Sequence, residues 1–216
     1  MPLLKVCGIT RVEDAVTACE LGYDAVGMVF APGPRCLSPD GARAISRALR
    51  ASTLRVGVVV NLERGEVRRL VEYCALDLVQ FHGEESPEDV KPFGARAIVA
   101  LRPQGPEELA RIEDYPGVFA VLIDAWDPAM RGGTGKTCDW SLAARAAQQT
   151  RVILAGGLNP ANVRQAVEKV YPFGVDVCSG VEMEPGGKDP VLMRDFALAA
   201  RSALRAVEQE DRRAET

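Results

Sequence analysis

Short runs of apolar, often β-branched residues alternate with amphipathic stretches along the whole chain. Eight of these runs predict buried strands, at residues 4–7, 25–30, 54–60, 76–81, 95–101, 119–124, 152–155 and 175–178. Amphipathic stretches predict helices at residues 12–21, 39–51, 64–74, 87–91, 106–114, 140–149, 160–170 and 190–208. A strand followed by a helix, repeated along a chain, indicates parallel β/α units.

Four predicted helices begin with residues that are typical of helix N-termini. Ser38, Ser86 and Asn159 each precede a proline, which places a capping side chain before a proline at the first helical position. Thr10 and Glu13 have the spacing of a capping box. These signals support the predicted order of elements.

The number of units favours a closed barrel. Eight strands alternating with eight helices in 216 residues fit an α/β fold with one domain, the (β/α)8 TIM barrel. A doubly wound sheet of six strands is the alternative, but it would leave two strands unused. We assign the barrel to residues 1–206 and expect residues 207–216, which are charged and lack apolar periodicity, to form a disordered tail.

Composition and charge argue against several classes of partner. The net charge of −4 leaves no broad basic surface for nucleic acid or an anionic membrane. No apolar run approaches the ~20 residues needed to cross a bilayer, and the first residues lack the apolar stretch of a signal peptide. We therefore expect a cytoplasmic protein that binds neither nucleic acid nor membrane.

The cysteines do not indicate a metal site. The chain has six cysteines without CxxC spacing and a single histidine, so a zinc site is not predicted. A disulfide framework is typical of small secreted domains, whereas this chain is long enough to bury a large core. We expect no metal and no cofactor.

Two glycine-rich turns near the C-terminal end of the chain are its most informative feature. Gly156 and Gly157 follow the seventh predicted strand, and Ser179 and Gly180 follow the eighth. Because glycine has no Cβ, backbone N–H groups in such turns can approach a ligand closely. The loops after strands 7 and 8 are the phosphate site of many (β/α)8 barrels, so a phosphorylated small molecule is the expected substrate.

Polar side chains follow several predicted strands at the end where barrels of this kind carry their active sites. These candidate residues are Cys7, Arg35, His82, Asp124 and Asp176. A thiol, a guanidinium, an imidazole and two carboxylates are a set suited to proton transfer on an anionic substrate. Asp176 and Cys178 share one face of their strand, and this face is turned either to the barrel interior or to the helices.

Each candidate also has a structural explanation. Cys7 could be a small buried hydrophobic residue, since free cysteine is among the most buried residue types. Asp124 could cap a helix or pair with Arg131, although an unpaired carboxylate is costly at the end of a buried strand. Arg35 alone could be a solvated surface residue, and a lone histidine such as His82 is more often a satisfied polar residue than a catalyst.

Six segments, taken in order, resemble the phosphoribosylanthranilate isomerase family of tryptophan biosynthesis. The most specific combination is Lys-Val-Cys-Gly-Ile-Thr at residues 5–10 with Gln-Phe-His-Gly at residues 80–83. The other segments are residues 57–61, 132–135 with 139–140, 155–160 and 174–182. Together they extend over nearly the whole chain.

The resemblance implies an Amadori rearrangement of N-(5′-phosphoribosyl)anthranilate to 1-(2-carboxyphenylamino)-1-deoxyribulose 5-phosphate. It implies Cys7 as general base and Asp124 as general acid. Arg35 matches the arginine that meets the anthranilate carboxylate, and His82 and Asp176 match positions that line the active site. For these roles the pKa of Cys7 must fall below its free value of about 8.5, and that of Asp124 must rise above about 3.9.

The sequence also departs from the family and leaves alternatives open. Cys178 stands where the family usually has serine, and Trp126 lies where no fixed residue type is expected. A related aminoaldose isomerase of histidine biosynthesis would carry aspartate at the position of Cys7, and the lysine and glutamate set of indole-glycerol-phosphate synthase is not found. A catalytically silent phosphate sensor is a further alternative, and both a monomer and a homodimer are compatible with the sequence.

Overall fold

Eight parallel strands close into a barrel in the computed structural model, which describes residues 2–124 and 140–214. The strands are β1 Leu3–Val6, β2 Ala25–Val29, β3 Leu54–Val59, β4 Leu78–Phe81, β5 Ala97–Leu101, β6 Ala120–Asp124, β7 Val152–Ala155 and β8 Gly174–Val177. Each strand pairs with its neighbours in chain order, and β1 pairs with β8 to complete the ring. The predicted (β/α)8 barrel is confirmed.

Helices connect the strands. They are α1 Val12–Glu20, α2 Pro39–Ala48, α3 Arg64–Tyr73, α4 Pro87–Val90, α5 Ser141–Ala147, α6 Val163–Val170 and α7 Pro190–Ala214. The stretch Pro106–Asp114, expected as an α-helix, is a 3-10 helix, and a further one covers Lys91–Arg96. Beyond β8 the chain adds an unpredicted antiparallel pair, β9 Glu182–Glu184 and β10 Gly187–Lys188.

Two of the predicted helix caps are confirmed. Ser38 Oγ accepts a hydrogen bond from the Gly41 backbone N–H at 3.2 Å, ahead of α2. Ahead of α4, Ser86 and Asp89 form a reciprocal capping box in which each side chain accepts the other residue's backbone N–H. These local signals are reliable because all the atoms involved belong to one turn.

The predicted Thr10 cap is wrong, and the predicted Asn159 cap precedes a turn instead of the first residue of the helix. Thr10 Oγ1 donates to the carbonyl oxygen of Gly186 at 2.6 Å, so the loop after β9 takes the side chain that was expected to cap α1. Asn159 accepts from the backbone N–H groups of Ala161 and Asn162 and closes a turn, and α6 begins only at Val163. The Thr10 hydroxyl group binds a carbonyl oxygen that is distant in sequence, and the Asn159 side chain closes a local turn. In both cases another partner competes with the first turn of the helix for the side chain.

The end of the chain is more ordered than expected. Helix α7 continues past the predicted end near Glu208 to Ala214, so the segment from residue 207 to 214 is helical rather than a disordered tail. Glutamate, glutamine, arginine and alanine in this segment are good helix formers. Tyr171 Oη also donates to Glu210 Oε2 at 2.7 Å, which holds this part of the helix against the barrel.

Alternate residues of each strand face the barrel interior. In β6, Ala120 and Leu122 belong to the apolar cluster inside the barrel, whereas Val121 and Ile123 belong to the cluster between strands and helices. The next residue on the interior face is Asp124 at the carboxyl end. The same alternation turns polar residues of several strands toward one interior space.

Candidate active site

A cavity of about 430 Å³ opens at the carboxyl ends of the strands. Its lining includes these predicted site residues: Cys7, Arg35, His82, Asp124, Gly156, Gly157, Asp176 and Ser179. Gly180 is outside the lining. A Cβ at this position would lie 1.9 Å from the carbonyl oxygen of Leu158, so Gly180 allows the loops after β7 and β8 to pack together.

A buried ion pair joins β1 to β8 at the base of the cavity. Lys5 Nζ donates to Asp176 Oδ2 at 2.8 Å, and both side chains are buried. Burial lowers the pKa of Lys5, but attraction to Asp176 and Cys7 outweighs burial and raises it, so the ammonium is retained. Asp176 therefore faces the interior and not the helices. Lys5 was not predicted as a site residue, although a lysine inside a four-residue buried strand is a signal that could have found it.

Cys7 follows β1 and points into the barrel beside this ion pair. A Cβ on Gly27 of β2 would lie 2.8 Å from Cys7 Sγ, so the glycine leaves room for the sulfur. A hydrogen bond from Cys178 lowers the pKa of Cys7, and Lys5 and Lys188 act in the same direction; together they outweigh burial. The expected lowering of the pKa of Cys7 is confirmed in direction.

Arg35 is not a solvated surface residue. Its Nε and Nη2 donate to the two carboxylate oxygens of Glu182 at 2.8 and 2.5 Å, which is a bidentate contact. Buried Lys188 also donates to Glu182, at 2.7 Å, and to the carbonyl oxygen of Cys178 at 3.0 Å. Glu182 and Lys188, for which the sequence predicted no role, therefore hold the arginine at the edge of the cavity.

Asp124 lies within a chain of polar side chains from three strands. Its Oδ2 is 3.8 Å from His82 Nε2 and 3.3 Å from Arg102 Nε. Gln80 Nε2 is 2.8 Å from His82 Nδ1, so Gln80 fixes the orientation of the imidazole ring. Burial raises the pKa of Asp124, but the nearby His82 ring and the hydrogen bond from Arg102 outweigh burial and lower it. The expectation of a raised pKa is wrong for the unliganded protein, because two donors meet the carboxylate.

Two buried oxygen atoms beside the cavity have no hydrogen-bond partner among the residues that the structure describes. They are Gln80 Oε1 and Asp176 Oδ1, on the interior faces of β4 and β8. Buried polar atoms are nearly always hydrogen-bonded, so unpaired ones that face a cavity indicate where a ligand supplies donors. Gln80 was not predicted as a site residue on its own, although it lies in the Gln-Phe-His-Gly segment.

The glycine-rich turn after β7 has a backbone conformation that requires glycine. Gly156 and Gly157 have φ angles of +88° and +66°, which are strained for residues with a Cβ. Both line the cavity together with Ser179, on the side formed by β7 and β8. This arrangement leaves the backbone of the turn accessible to an anion.

Several predicted features lie outside the described residues. They are Arg131, Trp126, Cys138 and the loop at residues 132–135. Within residues 2–124 and 140–210, no three histidine, cysteine, aspartate or glutamate side chains are grouped as a metal site requires. No helix in this part of the chain is both long and apolar enough to span a membrane.

Comparison with known proteins identifies the family. A family model described as N-(5′-phosphoribosyl)anthranilate (PRA) isomerase matches residues 4–199. The N-(5′-phosphoribosyl)anthranilate isomerase of Citrifermentans bemidjiense is 48% identical over 202 residues, which cover 93% of this chain and 98% of the relative.

Solved structures agree with this similarity. A phosphoribosylanthranilate isomerase from Thermotoga maritima superposes with a TM-score of 0.85 at 42% identity, covering 94% of this chain and 100% of the other. A phosphoribosylanthranilate isomerase in complex with reduced 1-(o-carboxyphenylamino)-1-deoxyribulose 5-phosphate superposes with a TM-score of 0.83 at 39% identity, with the same coverage. The chain belongs to the N-(5′-phosphoribosyl)anthranilate isomerase family.

Proposed function

We propose that this enzyme catalyses the Amadori rearrangement of N-(5′-phosphoribosyl)anthranilate, with Asp124 as general acid and Cys7 as general base. The observation that carries the proposal is the presence of both side chains in one cavity, at the carboxyl ends of strands three apart around the ring. Two groups in this arrangement approach a bound sugar from different sides. Family membership supplies the substrate class.

The first step is ring opening by Asp124. Its carboxyl group donates a proton to the ribose ring oxygen, the C1′–O bond breaks, and the anthranilate nitrogen supplies the electrons that form an iminium ion. The pKa of Asp124 is lowered by His82 and Arg102 in the free enzyme. A bound substrate adds two anionic groups and displaces water, and both effects raise the pKa of a carboxyl group. Substrate binding thus prepares the acid.

The second step is removal of the C2′ proton by the Cys7 thiolate. The iminium ion acidifies this proton, so a thiolate is a sufficient base, and the electrons of the C–H bond form an enolamine. Lys5 and Lys188 favour the thiolate, because their positive charges oppose its desolvation in the buried site. The enolamine then gains a proton at C1′ and loses the proton of its C2′ hydroxyl group, which gives the ketose.

Substrate orientation is assigned to the remaining residues of the cavity. Arg35, held by Glu182, meets the anthranilate carboxylate. The backbone at Gly156 and Gly157, with Ser179, binds the phosphate at the other end of the substrate, and Gly180 lets the loop of Ser179 pack against the loop after β7. His82 and Asp176 line the space between, and we add Gln80 to this set.

The unpaired oxygen atoms Gln80 Oε1 and Asp176 Oδ1 support contacts with the ribose hydroxyl groups, which are donors. These contacts would hold the sugar between the acid and the base.

We propose no cofactor and no metal for this reaction, and a monomer or a homodimer as the assembled state. The product of the reaction, a phosphorylated ketose, keeps both anionic groups by which the substrate is held.

The direct test is turnover of freshly formed N-(5′-phosphoribosyl)anthranilate, followed by the loss of its fluorescence. We expect rapid loss with the enzyme and a single ketose product by mass spectrometry and chromatography. The Asp124→Asn protein, which binds but cannot protonate, is the matched control. Absence of turnover with intact fold and bound ligand would contradict the proposed activity.

A further inference from the structure

Cys7 and Cys178 are neighbours on adjacent strands. In the pairing of β1 with β8, Val6 lies opposite Val177, and Cys7 and Cys178 are the next residues on each strand. The Cys7 backbone N–H donates to the Val177 carbonyl oxygen at 2.8 Å, so the register continues to this point. Because paired strands are about 4.8 Å apart, the two Cα atoms fall within the range that a disulfide spans, about 4.4–6.8 Å.

We propose that Cys7 and Cys178 are an oxidative modification site, at which a hydroperoxide that enters the cavity converts the two thiols reversibly to a disulfide. Both side chains line the cavity, so a small oxidant reaches them from solvent. The pairing of β1 with β8 places the two residues side by side at the carboxyl ends of adjacent strands.

The charges around the pair favour reaction at Cys7. The hydrogen bond from Cys178 lowers the pKa of Cys7, and Lys5, Lys188 and His82 add to this effect against burial. The thiolate is the form of cysteine that attacks a peroxide. The pKa of Cys178 is raised instead, by the hydrogen bond to Cys7, by burial and by the charge of Cys7. One sulfur is therefore the nucleophile and the other is its proton donor.

The chemistry proceeds in two balanced steps. The Cys7 thiolate attacks one peroxide oxygen and the O–O bond breaks, which gives Cys7 sulfenic acid. The leaving oxygen takes the proton of Cys178 and departs as an alcohol, or as water where the oxidant is hydrogen peroxide. Cys7 then no longer carries a negative charge. Lys188, whose Nζ is 3.9 Å from Cys178 Sγ, and Arg35 now favour the Cys178 thiolate. This thiolate attacks the Cys7 sulfur, the S–S bond forms and the S–O bond breaks; the leaving hydroxide takes a proton from solvent and departs as water.

The other described cysteines have different surroundings. Cys19 Sγ is 3.5 Å from Thr53 Oγ1, and Cys74 donates to the Pro39 carbonyl oxygen. Cys36 is exposed. Among the five cysteines that the structure describes, Cys7 and Cys178 are the pair that shares the cavity.

The test is oxidation of the whole protein with hydrogen peroxide, followed by removal of the oxidant, peptide mapping and activity measurement. We expect a peptide linked through Cys7 and Cys178, and a mass lower by two hydrogen atoms. Because Cys7 is the proposed base, we also expect turnover to fall at least about tenfold and to recover with dithiothreitol. Bound product analogue should protect the pair by filling the cavity.

Two variants test the proposal further. For each variant, the activity after oxidation is compared with the activity of the same variant before oxidation. Cys178→Ser lacks the resolving thiol, so Cys7 should proceed to sulfinic acid, which dithiothreitol does not reduce. Cys36→Ser removes an exposed thiol and should behave as the unchanged protein does. Absence of the linked peptide, or equal recovery of the Cys178→Ser protein, would overturn the proposal. Formation of the link without loss of turnover would support the modification site and contradict the base role of Cys7.

Discussion

The two ends of the barrel interior are built by the same strands but differ in chemistry. Toward the amino ends the interior is apolar, with a cluster of Leu3, Ala25, Val56, Leu78, Ile98, Ala120, Leu122 and Ile153. Toward the carboxyl ends the same alternation of residues brings thiols, carboxylates and cations to the cavity. In β6, for example, Leu122 is followed on the same face by Asp124.

This contrast separates stability from activity within single strands. At the apolar end, each buried side chain stabilises the fold through the area it removes from water. At the polar end, burial is unfavourable for charged groups, so the charges occur in contact, as Lys5 with Asp176 and Lys188 with Glu182. We therefore expect substitutions at the two ends to affect different measurements.

The largest effect on activity is expected for Asp124→Asn. Asparagine keeps the size of the side chain but cannot deliver a proton, so turnover of the closed-ring substrate should fall on the order of 10³-fold. Steady-state kinetics and the melting temperature measure the two properties separately, and the melting temperature should change little. An already open-chain analogue should bypass the lost step. A near-normal rate with the closed ring would remove Asp124 from the mechanism.

The converse effect is expected at the apolar end, for Leu122→Ala. Leu122 is fully buried, so its truncation leaves a cavity and should reduce the free energy of unfolding by roughly 2–5 kcal/mol. Chemical denaturation measures this loss, and kcat/KM of the folded protein should stay within about twofold. Leu198→Ala is the matched control, because that leucine is 65% exposed. Equal losses at both positions would contradict the division between the two ends.

Cys7→Ser should reduce turnover by about 10² or more while preserving ligand affinity and fold. A serine hydroxyl is a much weaker acid than a thiol, so almost no base is available near neutral pH. Kinetics and isothermal titration with a product analogue distinguish loss of catalysis from loss of binding. Turnover close to normal would move the base elsewhere, with Cys178 as the first candidate to examine.

Arg35→Lys tests the division of the cavity into two anion sites. Lysine cannot reproduce the bidentate contact with Glu182, so affinity for anthranilate-like inhibitors should fall about tenfold. Inhibition by inorganic phosphate should be little changed. Gly157→Val should show the opposite pattern, because valine is strained at a φ of +66° and obstructs the phosphate loop. If both variants lose affinity for both classes of inhibitor equally, the assignment of two separate anion sites is wrong.

The smallest effect is expected for Arg102→Ala on the pH profile. Arg102 donates to Asp124 and helps to lower its pKa, so its removal raises that pKa. Asp124 acts in its protonated form within the substrate complex, and the alkaline limb of kcat should therefore move to higher pH, by less than about one unit since the arginine is largely exposed. High salt should reduce the difference from the unchanged protein. A shift to lower pH would contradict the assignment of Asp124 as acid.

Much of the fold and part of the site follow from the sequence. The short apolar runs predict all eight strands, and the residues at or near the ends of these runs predict eight of the nineteen residues that line the cavity. The Ser38 and Ser86 caps were predictable because they need only neighbouring residues. The Thr10 cap failed because Gly186, which is distant in sequence, takes its hydroxyl group.

The sequence by itself determined the barrel and the positions of Cys7 and Asp124 at strand ends, because strand periodicity and turn residues act over a few positions. The family followed from the resemblance of its motifs. Only the tertiary structure decided the partners of these groups. Lys5 meets Asp176 across 171 residues, and Arg35 meets Glu182 across 147. The tertiary structure also decided that the pKa of Asp124 is lowered, since this depends on donors from other strands. Charge interactions depend on distance in space and on burial, and both exist only once the ring of strands has closed.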